Sequence, residues 1–385
     1  MNLENKLKKS KVSIITHTFA TGPGQELEIY LKSKVKRLIF IGHPLPFCQD
    51  LRPVFKQYNH KGELVKEKKG IGCHFPQIIL FLKDVFYTLW WLIFLPKSDL
   101  VVGVDNLNAF CGLILKKLRK TKKVILYTID YVPQRFENNF LNKIYHFLDS
   151  FCVRHCDSVW NLSPVMIEER EKKGVEKKYR QKQLAVPIGT DLNVKRLPFE
   201  KINRYEIAFM GHLRERQGLE LLIESLPEVL KEIPSAKLIL IGTGPLEQKL
   251  KNRISKLSIK ERVEFTGFIE DHNEMQNRLA QCAIAVAPYV DDEKSYTRYT
   301  DPGKPKAYLA AGLPVIITNI VQVAKEIDKA HCGLAIGFSK KDLVKAIISL
   351  LRDESKLKFY RKNSIEFARK FEWENIFRKA LEKTI

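Results

Sequence analysis

Short, continuously apolar runs rich in β-branched residues alternate with longer stretches of helical spacing along the chain. In the first half the runs fall at 12–16, 37–42, 100–104, 123–129, 158–162 and 184–188. In the second half they fall at 206–210, 238–241, 263–266, 283–287, 315–318 and 334–336. Runs that are apolar throughout, rather than at every second position, predict strands covered on both faces, as in parallel sheets flanked by helices. The pattern starts again near residue 204. It predicts an α/β fold of two Rossmann-like, doubly wound domains joined across 190–204. The expected segments are 1–195, 196–364 and a final helical stretch over 365–385.

Two helical stretches refine this picture. Positions 219, 221, 222, 223, 226, 229 and 230 form an apolar stripe, and Pro234 stops the helix soon after. Residues 78–96 are apolar except for Lys83 and Asp84, with Trp90 and Trp91 near one end. That run approaches the ~20 residues of a membrane span. A span here would break up the first domain, because the next residues read as a buried strand. A long apolar helix dipping into a membrane interface, or an ordinary core helix, fits better.

The 385 residues suit two domains of roughly 150–200 residues. The net charge of +22 is uneven: residues 1–200 hold 34 Lys+Arg against 19 Asp+Glu, and residues 201–385 hold 32 against 25. A basic first half favours an anionic partner such as a membrane surface or a phosphorylated substrate. No basic-aromatic module argues for nucleic acid. Seven irregularly spaced cysteines, several within apolar runs, fit reduced thiols in the cytoplasm. Cys152 and Cys156 flank His155, but no second ligand pair follows, so no metal site is expected. The polar, Lys-rich start does not read as a signal peptide.

In doubly wound sheets ligands sit beyond the carboxyl ends of the strands. The first such loop carries Gly22 and Gly24 ahead of a helix, where backbone N–H groups can meet a phosphate. The first strand of the second half leads into Gly211, His212, Arg214 and Arg216, a glycine followed by permanent cations. The next gives Gly242 and Gly244, either a tight turn or a ligand contact. Residues 299–316 place Asp301 in a loop, then Gly303 and Lys304 at a helix start, where the helix end and the ammonium both favour phosphate.

These motifs, together with Pro187-Ile188-Gly189-Thr190-Asp191, Val263-Glu264-Phe265-Thr266-Gly267 and Tyr308-Leu309-Ala310-Ala311-Gly312-Leu313-Pro314-Val315, resemble the retaining glycosyltransferases of family 4. The resemblance covers most of the chain. It implies a GT-B fold with two domains facing a cleft, an activated-sugar donor held mainly by the second domain, no essential metal or other cofactor, and a final helix returning to the first domain. Several positions depart from the family. Its paired acids fall on Tyr299 and Ala307, while Pro302 and Lys304 match a Pro-x-Lys variant. Its basic donor pair falls on His212 and Gln217. Its first-domain His-Asp pair falls on Ile129 and Asp130, leaving Asp130 as the catalytic candidate, with Arg135 nearby.

The reading is transfer of a sugar from a nucleotide sugar to a saccharide or lipid-linked acceptor, in the cytoplasm or at the inner face of the cell membrane. A nucleotide-sugar epimerase or a phosphorylase on the same fold, and an inactive nucleotide-sugar binder or scaffold, are the rival readings.

Overall fold

The computed structural model describes residues 2–18, 22–291 and 296–385. The chain forms two compact units, Met1–Pro187 with Trp373–Ile385, and Ile188–Glu372. The division thus falls just ahead of the 190–204 stretch, and the chain leaves the second unit at Trp373.

The first unit is built on eight strands: β1 (Lys11–Thr18), β2 (Arg37–Pro44), β3 (Val54–Tyr58), β4 (Leu64–Lys69), β5 (Ser98–Val104), β6 (Thr121–Thr128), β7 (Ser158–Asn161) and β8 (Gln183–Ala185). Their order is β4-β3-β2-β1-β5-β6-β7-β8. The apolar runs become the parallel part of this sheet, with Ile14 opposite Phe40 on one side and Val102 on the other. All three are buried, which is why these runs show no polar alternation. The antiparallel hairpin of β3 and β4 was not expected. Every residue of β4 is exposed, so no buried face marks it in the sequence.

The 78–96 run forms the helix Gln77–Ile93. Its inner face buries Leu80, Asp84, Thr88, Trp91 and Leu92, and Trp91 packs edge-on against Phe55 of β3. Among the described residues no helix is long and apolar enough to cross a membrane. The helix Trp373–Thr384 joins the first unit, where Phe377 is fully buried beside Tyr30. All seven cysteines are free.

The second unit has six parallel strands: β9 (Asn203–Met210), β10 (Lys237–Ile241), β11 (Val263–Gly267), β12 (Cys282–Ala287), β13 (Val315–Thr318) and β14 (Gly333–Ile336). Their order is β11-β10-β9-β12-β13-β14. The helix Leu219–Glu232 buries Leu219, Leu222, Ile223, Leu226 and Val229 against it, at roughly 1.5–3 kcal/mol for each side chain. Strand order reverses beside β1 in one sheet and beside β9 in the other. Each reversal opens a crevice at the carboxyl ends of the strands, the usual ligand position in such sheets.

Candidate functional site

The crevice beside β9 is built by three close-packed loops. Gly211 follows β9 with φ +133°, and its N–H donates to the Ile241 carbonyl at 2.8 Å. The next loop returns the contact: Leu213 N–H donates to Thr243 O at 3.0 Å, and Leu246 N–H to Leu213 O at 3.1 Å. A Cβ at Gly242 would collide with the Gly211 carbonyl, and one at Gly244 with the backbone of Leu213. Packing of loop on loop therefore accounts for both glycines without a ligand. His212 turns its Nδ1 to Thr243 O at 2.6 Å, while Arg214 and Arg216 are exposed.

Lys304 lies in the first turn of the helix Gly303–Ala310. Its ammonium donates to Gln217 Oε1 and lies 4.9 Å from the centre of the Phe209 ring. A Cβ at Gly211 would strike its Cε and Nζ, so the glycine makes room for the lysine. Burial pushes the ammonium down to about 7. No carboxylate among the described residues pairs with it. A partly desolvated cation without a counter-ion is favoured further when an anion arrives to complete it. Gln217, where the family resemblance expected a basic residue, thus serves as the acceptor for a cation supplied from another loop.

Asp301, expected to meet sugar hydroxyls, is engaged through one carboxylate oxygen by the fold itself. Its Oδ2 accepts from the Ile188 backbone N–H at 2.7 Å and from the Lys306 ammonium. Lys306 is fully buried, also donates to the Ile188 carbonyl at 2.6 Å, and sits over the Phe371 ring. Burial pushes the Asp301 carboxyl up and the Lys306 ammonium down, and their pairing opposes both shifts. The pair anchors the helix start to the first residue of the unit. Tyr308 adds a second tether: its hydroxyl accepts from Met210 N–H at 2.7 Å at the end of β9. Neither Lys306 nor Tyr308 stood out in the sequence, because only the fold brings them to Ile188 and Met210.

In the first unit Asp130 follows β6, with its carboxylate 3.9 Å from Arg135. Desolvation first, then the Asp105 charge, push the carboxyl up, while Arg135 lowers it. Half of the side chain is open to solvent (53%), which weakens all these effects. Tyr145 donates to the Asp130 carbonyl at 2.9 Å and lies under the Arg135 guanidinium. Gly22 precedes the helix Pro23–Leu31, and a Cβ at Gly24 would meet Thr16 Oγ1. Residues 19–21 of that loop lie outside the described residues.

A polar cluster that sequence reasoning missed lies under β1. His43 is fully buried, with Nδ1 3.3 Å from Asp84 Oδ1 and Nε2 2.7 Å from Thr88 Oγ1. His17, at the carboxyl end of β1, approaches Asp84 Oδ2 at 3.7 Å. Burial opposes charge on Asp84, but the two imidazoles hold its carboxyl below the usual range. Burial keeps His43 neutral by lowering its pKa. A neutral His43 can direct Nδ1–H at Asp84 and accept from Thr88 at Nε2.

Two doubly wound parallel-sheet units, the second with the Lys304 ammonium at its switch point, make a fold found among solved structures. Residues 204–353 match the family model of the glycosyl transferases group 1. Over that stretch the chain is similar to the group 1 glycosyltransferases, and its fold is that of solved GT-B proteins. It is similar to HepE of Anabaena, solved in complex with UDP, at 14% identity and a TM-score of 0.69, with 97% of this chain and 98% of that one covered. It is similar to sucrose-phosphate synthase of Thermosynechococcus elongatus at 17% identity and a TM-score of 0.70, with the same coverage. In sequence it is 25% identical to the uncharacterized glycosyltransferase MJ1059 of Methanocaldococcus jannaschii over 279 residues, 62% of this chain and 65% of that protein. The chain spans 42–65% of the length of the curated relatives it matches.

Proposed function

We propose that the chain transfers a sugar from a nucleotide-sugar donor to the hydroxyl of a saccharide or lipid-linked acceptor. The observation that carries this reading is Lys304, a half-buried ammonium beside the Gly211 backbone with no carboxylate partner among the described residues. A donor diphosphate supplies the missing negative charge. As the bond from the anomeric carbon to the phosphate oxygen breaks, its electron pair moves onto the diphosphate. Lys304, Arg214, Arg216 and the start of the helix Gly303–Ala310 then stabilise the charge that develops. The acceptor oxygen bonds to the anomeric carbon, and its proton passes to a phosphate oxygen of the leaving group. By resemblance the anomeric configuration is retained and no metal takes part. On this reading Asp130 is the catalytic candidate of the first unit. Free cysteines support a cytoplasmic setting, and assembly of envelope polysaccharide or glycolipid is the natural context.

A thermal-shift panel of nucleoside diphosphates and their sugars tests this, with UDP first because HepE is solved with UDP. A ligand at 100 times its Kd raises stability by about 2.7 kcal/mol. The reading falls if no nucleotide shifts the wild type, or if Lys304→Ala and Arg216→Ala both bind as the wild type does. An NMR assignment of the product anomer tests retention.

A further inference from the structure

The outer face of the helix Gln77–Ile93 is left exposed among the described residues, and its composition is that of a core. Ile78 (57% exposed), Leu82, Phe86, Trp90 and Phe94 (73%) follow one another at intervals of four residues. Residues four apart lie on one face of a helix, so these five form a continuous apolar ridge. At 1.5 Å per residue it is about 24 Å long. Phe75 and Ile79 widen it at one end, and both are exposed. The rings reinforce one another: Phe86 stacks on Trp90 at 5.9 Å, and Trp90 meets Phe94 edge-on at 5.3 Å. Scattered exposed apolar residues are ordinary, but a contiguous ridge of this size marks an interaction surface.

Charge beside the ridge identifies the partner. In the β3–β4 hairpin Phe55 lies directly opposite Lys68, and Gln57 opposite Lys66. Residues directly opposite share a face of the sheet, so Lys66 and Lys68 project on the face where Phe55 packs against Trp91 of this helix. Both are exposed, and neither forms an ion pair among the described residues. Lys97, also exposed, follows the other end of the helix. A protein groove accepting the ridge would need no cations at its flanks, whereas an anionic bilayer rewards both features. Apolar side chains enter the acyl boundary while lysines meet the headgroups, and a tryptophan suits the interface.

We infer that the helix Gln77–Ile93 docks the first unit onto an anionic phospholipid membrane, lying in the interface plane with Ile78, Leu82, Phe86, Trp90 and Phe94 inserted and Lys66, Lys68 and Lys97 at the headgroups. This goes beyond the transfer reaction and needs no turnover for its test, so either reading can fail while the other stands.

The experiment is co-sedimentation of the full chain with phosphatidylglycerol–phosphatidylcholine vesicles and with pure phosphatidylcholine vesicles, alongside tryptophan fluorescence and light scattering after gel filtration. The wild type should partition onto the anionic vesicles, more weakly at high salt. Its emission should shift to the blue and be quenched by brominated lipid. A Phe86→Ser, Trp90→Ser variant, altered only at exposed positions, should keep its circular dichroism and lose at least tenfold in partition. Lys66→Gln and Lys68→Gln should each lower partition about fivefold on anionic vesicles alone. The inference is overturned if the wild type binds neither vesicle, if the ridge variant partitions as the wild type does, or if the ridge instead holds together a dimer that the variant dissociates.

Discussion

The two strand-end crevices differ in how their charges are balanced. Beside β9 the half-buried Lys304 ammonium meets a neutral amide and the Phe209 ring, and no carboxylate among the described residues. Under β1 the buried Asp84 carboxylate is flanked by two imidazoles, and after β6 Asp130 lies near Arg135. Among the described residues no carboxylate balances the ammonium of the second unit, whereas both of these first-unit carboxylates have a basic side chain within 3.9 Å. An unbalanced buried charge raises the free energy of the empty protein and lowers that of the complex, which suits a site for a small, tightly held anion. A balanced edge gains little from an anion and suits a neutral, hydroxyl-rich ligand.

The sharpest way to break the comparison is to unbalance a pair inside the second unit. Asp301→Ala leaves Lys306 buried against the Ile188 carbonyl and the face of Phe371, without a directly bonded carboxylate among the described residues. Removing one partner of a buried pair costs about 3–5 kcal/mol. Urea unfolding should show this loss, and Asp301→Asn should recover part of it. If Asp301 instead holds the sugar, Asp301→Ala would weaken donor binding with little change in stability.

Next in size is Lys304→Ala, which should weaken nucleoside diphosphate binding by about 1.5–3 kcal/mol, measured by calorimetry. Lys304→Met should not destabilise the empty protein, because it removes a half-buried cation that no carboxylate among the described residues balances. The pH dependence follows from the ammonium being pushed down to about 7. Between about 7 and the unfolded value near 10.4, the unfolded chain holds a proton that the folded chain lacks. Stability of the empty wild type therefore rises with pH across that window, and Lys304→Met should lose this slope. Diphosphate affinity should fall as pH rises through 7, and Lys304→Arg, which stays charged, should bind with a flatter profile.

In the first unit Asp84→Asn is the matching test. It removes the charge that two imidazoles satisfy and should cost about 1–3 kcal/mol. Because burial lowers the His43 pKa, the unfolded chain takes up a proton near 6.5 that the folded chain resists. Wild-type stability should therefore decline as pH falls below about 6.5. His43→Gln should lessen that decline. A flat profile from pH 8 to 5 in the wild type would mean that His43 is not held neutral.

Much of this was legible in the sequence, and the boundary has physical causes. The parallel strands were readable because both faces of each are buried, so apolar residues fill consecutive positions from Leu38 and Ile207 onward. Lys304 was readable because a lysine just after a glycine at a helix start has few local partners. The β3–β4 hairpin was not, since Leu64–Lys69 carries no buried face. Asp84 was hidden in an apolar run, where only the fold shows that it points inward at His43. Asp301 was read as a ligand for sugar hydroxyls because its partners, Ile188 and Lys306, reach it through the fold rather than through a sequence motif.

The smallest expected effect on stability is at Asp130, which makes it the cleanest probe of chemistry. Like Asp301 it is an acid in a loop after a strand, but half of its side chain meets solvent, and its ion pair with Arg135 is long at 3.9 Å. Exposed pairs of this kind contribute about 0–1 kcal/mol. Asp130→Asn should therefore leave the unfolding midpoint within about 0.5 kcal/mol of wild type. It should also leave nucleotide affinity unchanged, since the donor reading places the diphosphate in the second unit. Its backbone carbonyl would still accept from Tyr145, so the loop should keep its shape. Turnover is where the variant should differ, because a carboxylate beside the transferred sugar favours the positive charge that develops at the anomeric carbon. A fall of tenfold or more in kcat, with fold and donor binding intact, assigns Asp130 to the reaction. Wild-type turnover would return it to the role of a loop residue positioning Arg135.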